Sequence, residues 1–308
     1  EGLGGGWSSV AIADKTIYTM GDLEDACYLY ALNLQGKHLW KARVGKPKGH
    51  RGYPGPRSTP TVTENSVYCL GQHGDLVCFS RACPVAEVKA GCTDCHGQKE
   101  KKSTWKVNLE NDFGGKMMSG WKWSESPLVD GNQVVITPGG SKGAVVALNA
   151  ETGKEIWRQA AAQRIPHEGH HGDNNFASGS PTTDGERLYC WFGSAGLYCY
   201  DLDGTRLWQR DLGKAHMGAS LGEGCSPVVH DGRIVIVRDH SRQSTIEVLD
   251  AKTGKTVWKK NREEPNSWAT PIVLRHSGHT QVITAASKMI RSYDLESGDI
   301  IWQCSGLT

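Results

Sequence analysis

A phrase that recurs along the chain and ends each time on tryptophan limits the possible folds more than any other feature. ALNLQGKHLW closes at Trp40, ALNAETGKEIW at Trp157, YDLDGTRLW at Trp208, VLDAKTGKTVW at Trp258 and YDLESGDIIW at Trp302, with a degenerate STWKV copy at Trp105. The tryptophans lie 65, 52, 51, 50 and 44 residues apart, the period of a four-stranded repeat unit with loops of varying length. A second phrase opens each unit: Ser8-Ser9, Thr59-Pro60, Ser126-Pro127, Ser180-Pro181, Ser226-Pro227 and Thr270-Pro271, each before a short apolar run. With 11 Trp against 4 Phe and 38 Gly in 308 residues, the composition fits one repeated tryptophan position and many turns.

Within a unit the sequence predicts four strands, A to D. Asp-Gly turns such as Asp130-Gly131, Asp184-Gly185 and Asp231-Gly232 join A to B as two-residue hairpins. Alternating β-branched and aromatic residues fill the strands, and no helical stripe appears. One such sheet cannot bury both faces alone, so the units must stack. The expected fold is an all-β propeller of four-stranded antiparallel blades over residues 1–308, with at least six repeats and six to eight blades.

These residues carry a resemblance. The Ala/Val-Leu-Asn/Asp-x-x-Thr-Gly-x-x-x-Trp phrase at 147–157 and 248–258 resembles the tryptophan-docking repeat of quinoprotein-like (PQQ-binding-like) β-propellers. That group includes quinoprotein alcohol dehydrogenases and a propeller lipoprotein of outer-membrane assembly. The stretches 120–131, 196–213 and 267–273 are similar to propellers of this type from planctomycete-like bacteria. The resemblance implies the fold, and it implies that further blades belong to longer relatives. It does not bring PQQ with it. The adjacent Cys-Cys pair and the acidic calcium constellation of quinoprotein dehydrogenases have no counterpart here, so PQQ is not expected.

The second repeat departs from the others. Ser80 stands 25 residues before Trp105 where other copies need seven or eight, so the C–D turn carries an insertion spanning 81–104. It holds Cys92-Thr93-Asp94-Cys95-His96, the C-x-x-C-H pattern of covalent haem attachment. Two thiols bond the porphyrin vinyl groups, and the adjacent imidazole ligates iron from the proximal side. The motif predicts one covalent haem c on Cys92, Cys95 and His96. A zinc site lacking its fourth ligand, a redox pair and a plain disulfide are the alternatives. For the sixth ligand position Met117, Met118 and Met217 are candidates. His167, His170, His171, His216 and Tyr53, with Glu125, Glu168 and Glu223 near them, are candidate catalytic groups in the loops between blades. Those loops open at one end of a blade and the C–D turn at the other.

Three functions follow as expectations. The first is a haem oxidoreductase acting on oxygen, peroxide or a small phenolic or catechol-like substrate, in the manner of a haem-dependent oxygenase or peroxidase. The second is an electron-transfer cytochrome, with Lys99, Lys101 and Lys102 beside the motif to meet an acidic redox partner. The third is a non-catalytic binding or assembly scaffold. Haem attachment implies a periplasmic or otherwise exported location, and a leader removed before Glu1. Cys69 and Cys78, nine residues apart around His73-Gly74, and Cys190 and Cys199 at the same offset are expected to oppose one another, as cross-strand disulfides or as buried thiols. A net charge of +2 gives no global field for nucleic acid, and no apolar stretch is long enough for a membrane helix.

Overall fold

The computed structural model describes residues 2–82, 101–117, 120–139, 145–160 and 179–305. Two compact units, Glu1–Ala160 and Ala161–Thr308, each carry three four-stranded antiparallel meanders. In the first unit the blades are β1 (Ala11–Ala13) to β4 (His38–Gly45), β5 (Thr61–Val62) to β8 (Trp105–Asn108), and β9 (Leu128–Asp130) to β12 (Glu155–Gln159). In the second they are β13 (Thr182–Thr183) to β16 (Arg206–Arg210), β17 (Val228–His230) to β20 (Thr256–Arg262), and β21 (Ile272–His276) to β24 (Ile300–Ser305). Among the described residues no helix is long and apolar enough to cross a membrane.

The repeated phrase is a docking device. Asn149 Oδ1 accepts from the amides of Glu151 and Thr152 at 3.1 and 2.9 Å, an Asx turn that leads into Gly153 at φ +69°. Only glycine fits there, because a Cβ would sit 2.7 Å from the Trp105 ring of the preceding blade. The indole of Trp105 donates to Ala150 O at 2.8 Å. The second unit repeats this arrangement twice, Trp208 donating to Ala251 O at 3.2 Å over Gly254, and Trp258 to Leu295 O at 2.8 Å over Gly298. A bulge one residue before the tryptophan accompanies the phrase in five blades. It turns Ile156, Leu207, Val257 and Ile301 outward.

The Ser/Thr-Pro phrase links consecutive first strands. The amide of Thr59 donates to Ser126 Oγ at 3.0 Å, that of Ser180 to Ser226 Oγ at 2.9 Å, and that of Ser226 to Thr270 Oγ1 at 3.0 Å. Between sheets lie the apolar cores. Tyr18, Leu29, Val67 and Phe79 fill the space between the first two blades. Leu70, Leu76, Val134 and Leu148 fill the next, and Leu197, Ile234, Val248 and Val282 run through the second unit.

The expected opposition of cysteines is corrected. Cys69 pairs with Val77 and Cys78 with Tyr68; Cys190 pairs with Tyr198 and Cys199 with Tyr189. Both hairpins turn through three residues rather than two. Gly71 N bonds Asp75 O at 2.8 Å around Gln72-His73-Gly74, and Phe192 N bonds Gly196 O at 2.9 Å around a 3-10 turn at Gly193–Ala195. A loop one residue longer shifts the register by one and sends the two thiols to opposite faces. Cys69 enters the core shared with blade 1 and Cys78 the core shared with blade 3, so neither pair forms a disulfide. Burial raises the thiol pKa of Cys69 and Cys78, and pushes Cys199 up to about 12.

Candidate functional site

Cys92, Cys95, His96, Met118, His167, Glu168, His170 and His171 lie outside the described residues. The stems of the insertion are described. Arg81 bonds Asp14 Oδ2 at 2.5 Å and the carbonyls of Thr63 and Glu64 at 2.8 Å. Lys101 Nζ reaches Ala82 O at 2.5 Å, closing the two stems on each other, and its amide bonds Lys41 O at 3.1 Å. The ammonium of Lys101 stands 4.4 Å over the Trp40 ring. The insertion displaces the glycine turn that receives the preceding tryptophan in later blades, and a lysine covers the ring in its place.

These stems sit beside the A–B turns at Asp14-Lys15 and Thr63–Asn65. The D–A loops occupy the other end of the blades, as the alternation of a meander requires. In the first unit three segments meet there, 2–10, 46–60 and the described parts of 113–124, namely 113–117 and 120–124. Trp121 stacks on His50 with ring centroids 4.0 Å apart and planes 18° apart, and Arg57 lies 4.5 Å from the indole. Tyr53 is 5.5 Å from Trp121, and Trp7 meets Tyr53 edge-on at 5.9 Å. Backbone bonds hold the group. Trp7 N donates to Pro56 O at 2.8 Å. Arg57 donates to Tyr53 O at 2.7 Å, Gly55 O at 3.1 Å and Trp121 O at 3.4 Å. His50 Nδ1 accepts from the amides of Gly52 and Tyr53 at 3.1 and 3.0 Å. Yet Trp7 is 59% exposed and Tyr53 53%.

The three segments themselves are one-sided in charge. They carry Lys46, Lys48, Arg51, Arg57, Lys116 and Lys122 and no Asp or Glu. Of the carboxylates bordering them, Glu24, Asp25 and Asp112 are exposed, whereas Asp22 and Glu125 are buried. Asp22 Oδ2 accepts from Lys48 N and Gln72 Nε2, both at 2.7 Å. Glu125 accepts from the amide of Thr137 at 3.0 Å and from its hydroxyl, and burial pushes its pKa up to about 7. Met117 packs against the core between blades 2 and 3.

The second unit uses its corresponding loops differently. Met217 is buried and lines a narrow cleft of about 210 Å³ with Trp191, Glu223, Cys225, Arg238 and His240. Behind it Arg262 grips Asp239 through two bonds of 2.8 and 3.0 Å, both side chains wholly buried. Arg262 also reaches Thr284 and Tyr293. Arg238 pairs with Glu223 at 3.3 Å, and Arg291 with Glu264. Ser194 donates to Glu223 at 2.6 Å. Burial, then the Arg238 charge, lowers the pKa of His240. His216 receives Ser241 N on its carbonyl at 2.9 Å.

Tyr53 and Met117 thus belong to one unit, His216 and Met217 to the other. Sequence reasoning missed Trp7, Trp121, Arg57 and the Asp239–Arg262 pair. For the pair a signal existed, Arg238-Asp239-His240 directly following the apolar run Ile234–Val237. For the aromatic group none did, since its members are scattered through three loops.

Comparison with known proteins gives the same architecture. Among solved structures, BamB from Moraxella catarrhalis matches with a TM-score of 0.58 at 13% identity, over 97% of this chain and 76% of that one. A europium-containing methanol dehydrogenase matches with 0.63 at 13%, over 97% and 68%. At such identity the likeness is one of fold, the β-propeller. Among curated relatives, the outer membrane protein assembly factor BamB of Yersinia pestis is 26% identical over 53% of this chain and 39% of its own length. Tetrathionate hydrolase of Acidithiobacillus ferrooxidans is 23% identical over 95% and 56%, and BamB of Burkholderia pseudomallei 24% over 64% and 46%. The chain spans about half the length of the curated relatives it matches. The family model described as outer membrane protein assembly factor BamB matches residues 95–215 and 141–306, more than half of the chain, which therefore belongs to this PQQ-like β-propeller repeat family.

Proposed function

We propose that the chain is an exported binding scaffold, a propeller whose loops hold a protein partner during assembly at the cell envelope. The match of 95–306 to the assembly-factor model carries this reading. The geometry supports it. Several polar groups at the D–A loop end of the blades build rigid loops: His50 receives two amides, Glu125 receives Thr137, and Glu223 is paired by Arg238 from the end of β18 (Arg233–Arg238). Rigid loops on stacked sheets are what a binding surface needs, because little entropy is lost on contact. The relatives named as outer membrane assembly factors support export. The test is co-purification of the tagged protein with the outer-membrane-protein assembly components of its own cell. Stoichiometric, salt-resistant association is expected; its absence overturns the reading.

A second reading rests on Cys92-Thr93-Asp94-Cys95-His96. Two thiols and an adjacent imidazole are the donor set that holds a haem c, which would supply one-electron chemistry. The described stems on either side of the motif meet, Lys101 Nζ bonding Ala82 O at 2.5 Å, which supports a loop anchored on the blade as its carrier. Export alongside haem-maturation machinery, followed by haem staining of a denaturing gel, tests it. Covalent stain lost on replacing Cys92 and Cys95 with Ala is expected, and an unstained native chain overturns it.

A further inference from the structure

We infer that the loop end of the first unit is the docking surface for an acidic, extended segment of a protein partner, gripped by Trp7, Tyr53 and Trp121 and paired by Arg51, Arg57 and Lys48. The inference rests on the scaffold reading and names the partner's chemistry. Its first support is charge. Six basic residues and no acidic ones occupy the three segments that meet there; of the carboxylates beside them, Asp22 and Glu125 are buried and already bonded, Asp25 is engaged by Tyr28 and Arg43, and Glu24 and Asp112 are exposed at the border. Arg57 is the sharpest case. Its guanidinium bonds three backbone carbonyls and an indole, and among the described residues it has no carboxylate. A half-buried cation without a counter-ion is completed by an incoming acid.

The second support is the aromatic group. Trp, Tyr and Arg are the side chains that concentrate binding energy at protein interfaces, and two of the rings stand more than half exposed. They are held before any partner arrives. Gly55, at φ +111°, brings its loop so close to Gly6 that a Cβ would sit 2.5 Å from the Gly6 Cα. This contact, with the Trp7–Pro56 bond, fixes Trp7 beside Tyr53. Preorganised rings cost little entropy to engage. A long polyanion is the poorer fit. The net charge of the chain is only +2, so the cations act locally and build no extended field of the kind nucleic acid follows.

The test uses the full chain and a short fluorescein-labelled peptide of alternating Glu with Pro and Tyr, read by anisotropy. A Lys-for-Glu peptide, heparin and single-stranded DNA run beside it. Binding of the acidic peptide alone is expected, weakened about tenfold by Arg51→Glu and by Trp7→Ala, with unchanged thermal midpoints. Lys252→Glu, exposed in the second unit, should leave it untouched. No binding of the acidic peptide overturns the inference, as does equal loss with Lys252→Glu. Heparin or DNA binding lost in Trp7→Ala while the acidic peptide stays silent also overturns it, in favour of a polyanion. Where the peptide fails but envelope assembly components still co-purify with Trp7→Ala, the surface assignment falls and the scaffold reading stands. Where both fail, both fall.

Discussion

At the loop end of the first unit, charge is left at the surface and aromatic rings stand in solvent. In the second unit, arginines of the strands β18, β20 and β23 (Met289–Asp294) are held inward, on Glu223, Asp239 and Glu264. Both units repeat the same blade with the same docking glycines, so the difference lies in what the loops do with their polar groups. A cation paired inside the sheet stack fixes loop positions and is lost to partners. A cation bonded only to carbonyls, as Arg57 is, fixes its loop and keeps its charge on offer. One fold thus yields a locked end and a presenting end.

The largest effect should come from breaking the locked end. Asp239→Ala leaves Arg262 buried without its carboxylate, and a cost of about 3–5 kcal/mol is expected, read as a fall in the urea midpoint. Replacing both partners with apolar residues should recover most of it. Arg51→Ala, at the exposed end, should not move the midpoint measurably. Equal effects would erase the distinction between the two regions.

Glu125 sharpens the contrast, because it is a buried acid of the first unit that is held by the amide and hydroxyl of Thr137 and not by a cation among the described residues. Burial raises its carboxyl from 4.5 to about 7. A raised acid contributes stability that is full below about pH 4.5 and is lost as pH rises through about 7, on the order of 3 kcal/mol. Thermal midpoints measured across that window should fall with pH, and Glu125→Gln should flatten the curve. An unchanged slope in the variant would assign the pH dependence elsewhere.

Much of the blade was legible because its signals are local. The Asn/Asp-x-x-Thr-Gly phrase is an Asx turn and a left-handed glycine within five residues. Asp231-Gly232 is a two-residue hairpin with φ of +45° and +73°, as its letters imply. The cysteine register was not legible. Gln72-His73-Gly74 reads equally as a two- or three-residue turn, and one residue decides which face each thiol enters. The aromatic group was still less so, since Trp7, Tyr53 and Trp121 meet through three loops with no common period. Loops carry no repeating pattern from which a contact is inferred, whereas strands do.

The docking glycines test whether the repeat is one device. Gly254→Ala would set a methyl 2.8 Å from the Trp208 ring at φ +68°, so both strain and overlap oppose it. A loss of about 2–3 kcal/mol is expected. Gly185→Ala shares the positive φ, +86°, but meets nothing within 4 Å, and should cost only about 1 kcal/mol. If the two variants unfold at the same denaturant concentration, the tryptophan contact contributes nothing.

The smallest effect is expected where the repeat is broken. Lys101 covers Trp40 from the stem of the insertion, where later blades use glycine. Lys101→Met keeps the aliphatic packing and removes the charge over the indole, so about 1 kcal/mol should be lost. Replacing 80–104 by Asp-Ala-Lys-Thr-Gly-Lys-Thr-Val, copied from 250–257, should restore the ordinary docking under Trp40 and recover that loss in the same unfolding measurement. Recovery would mean that the insertion adds a loop to a blade that does not need it for its stability. A blade that unfolds without it would make Arg81 and Lys101, which bond Asp14 and cover Trp40, part of the fold itself.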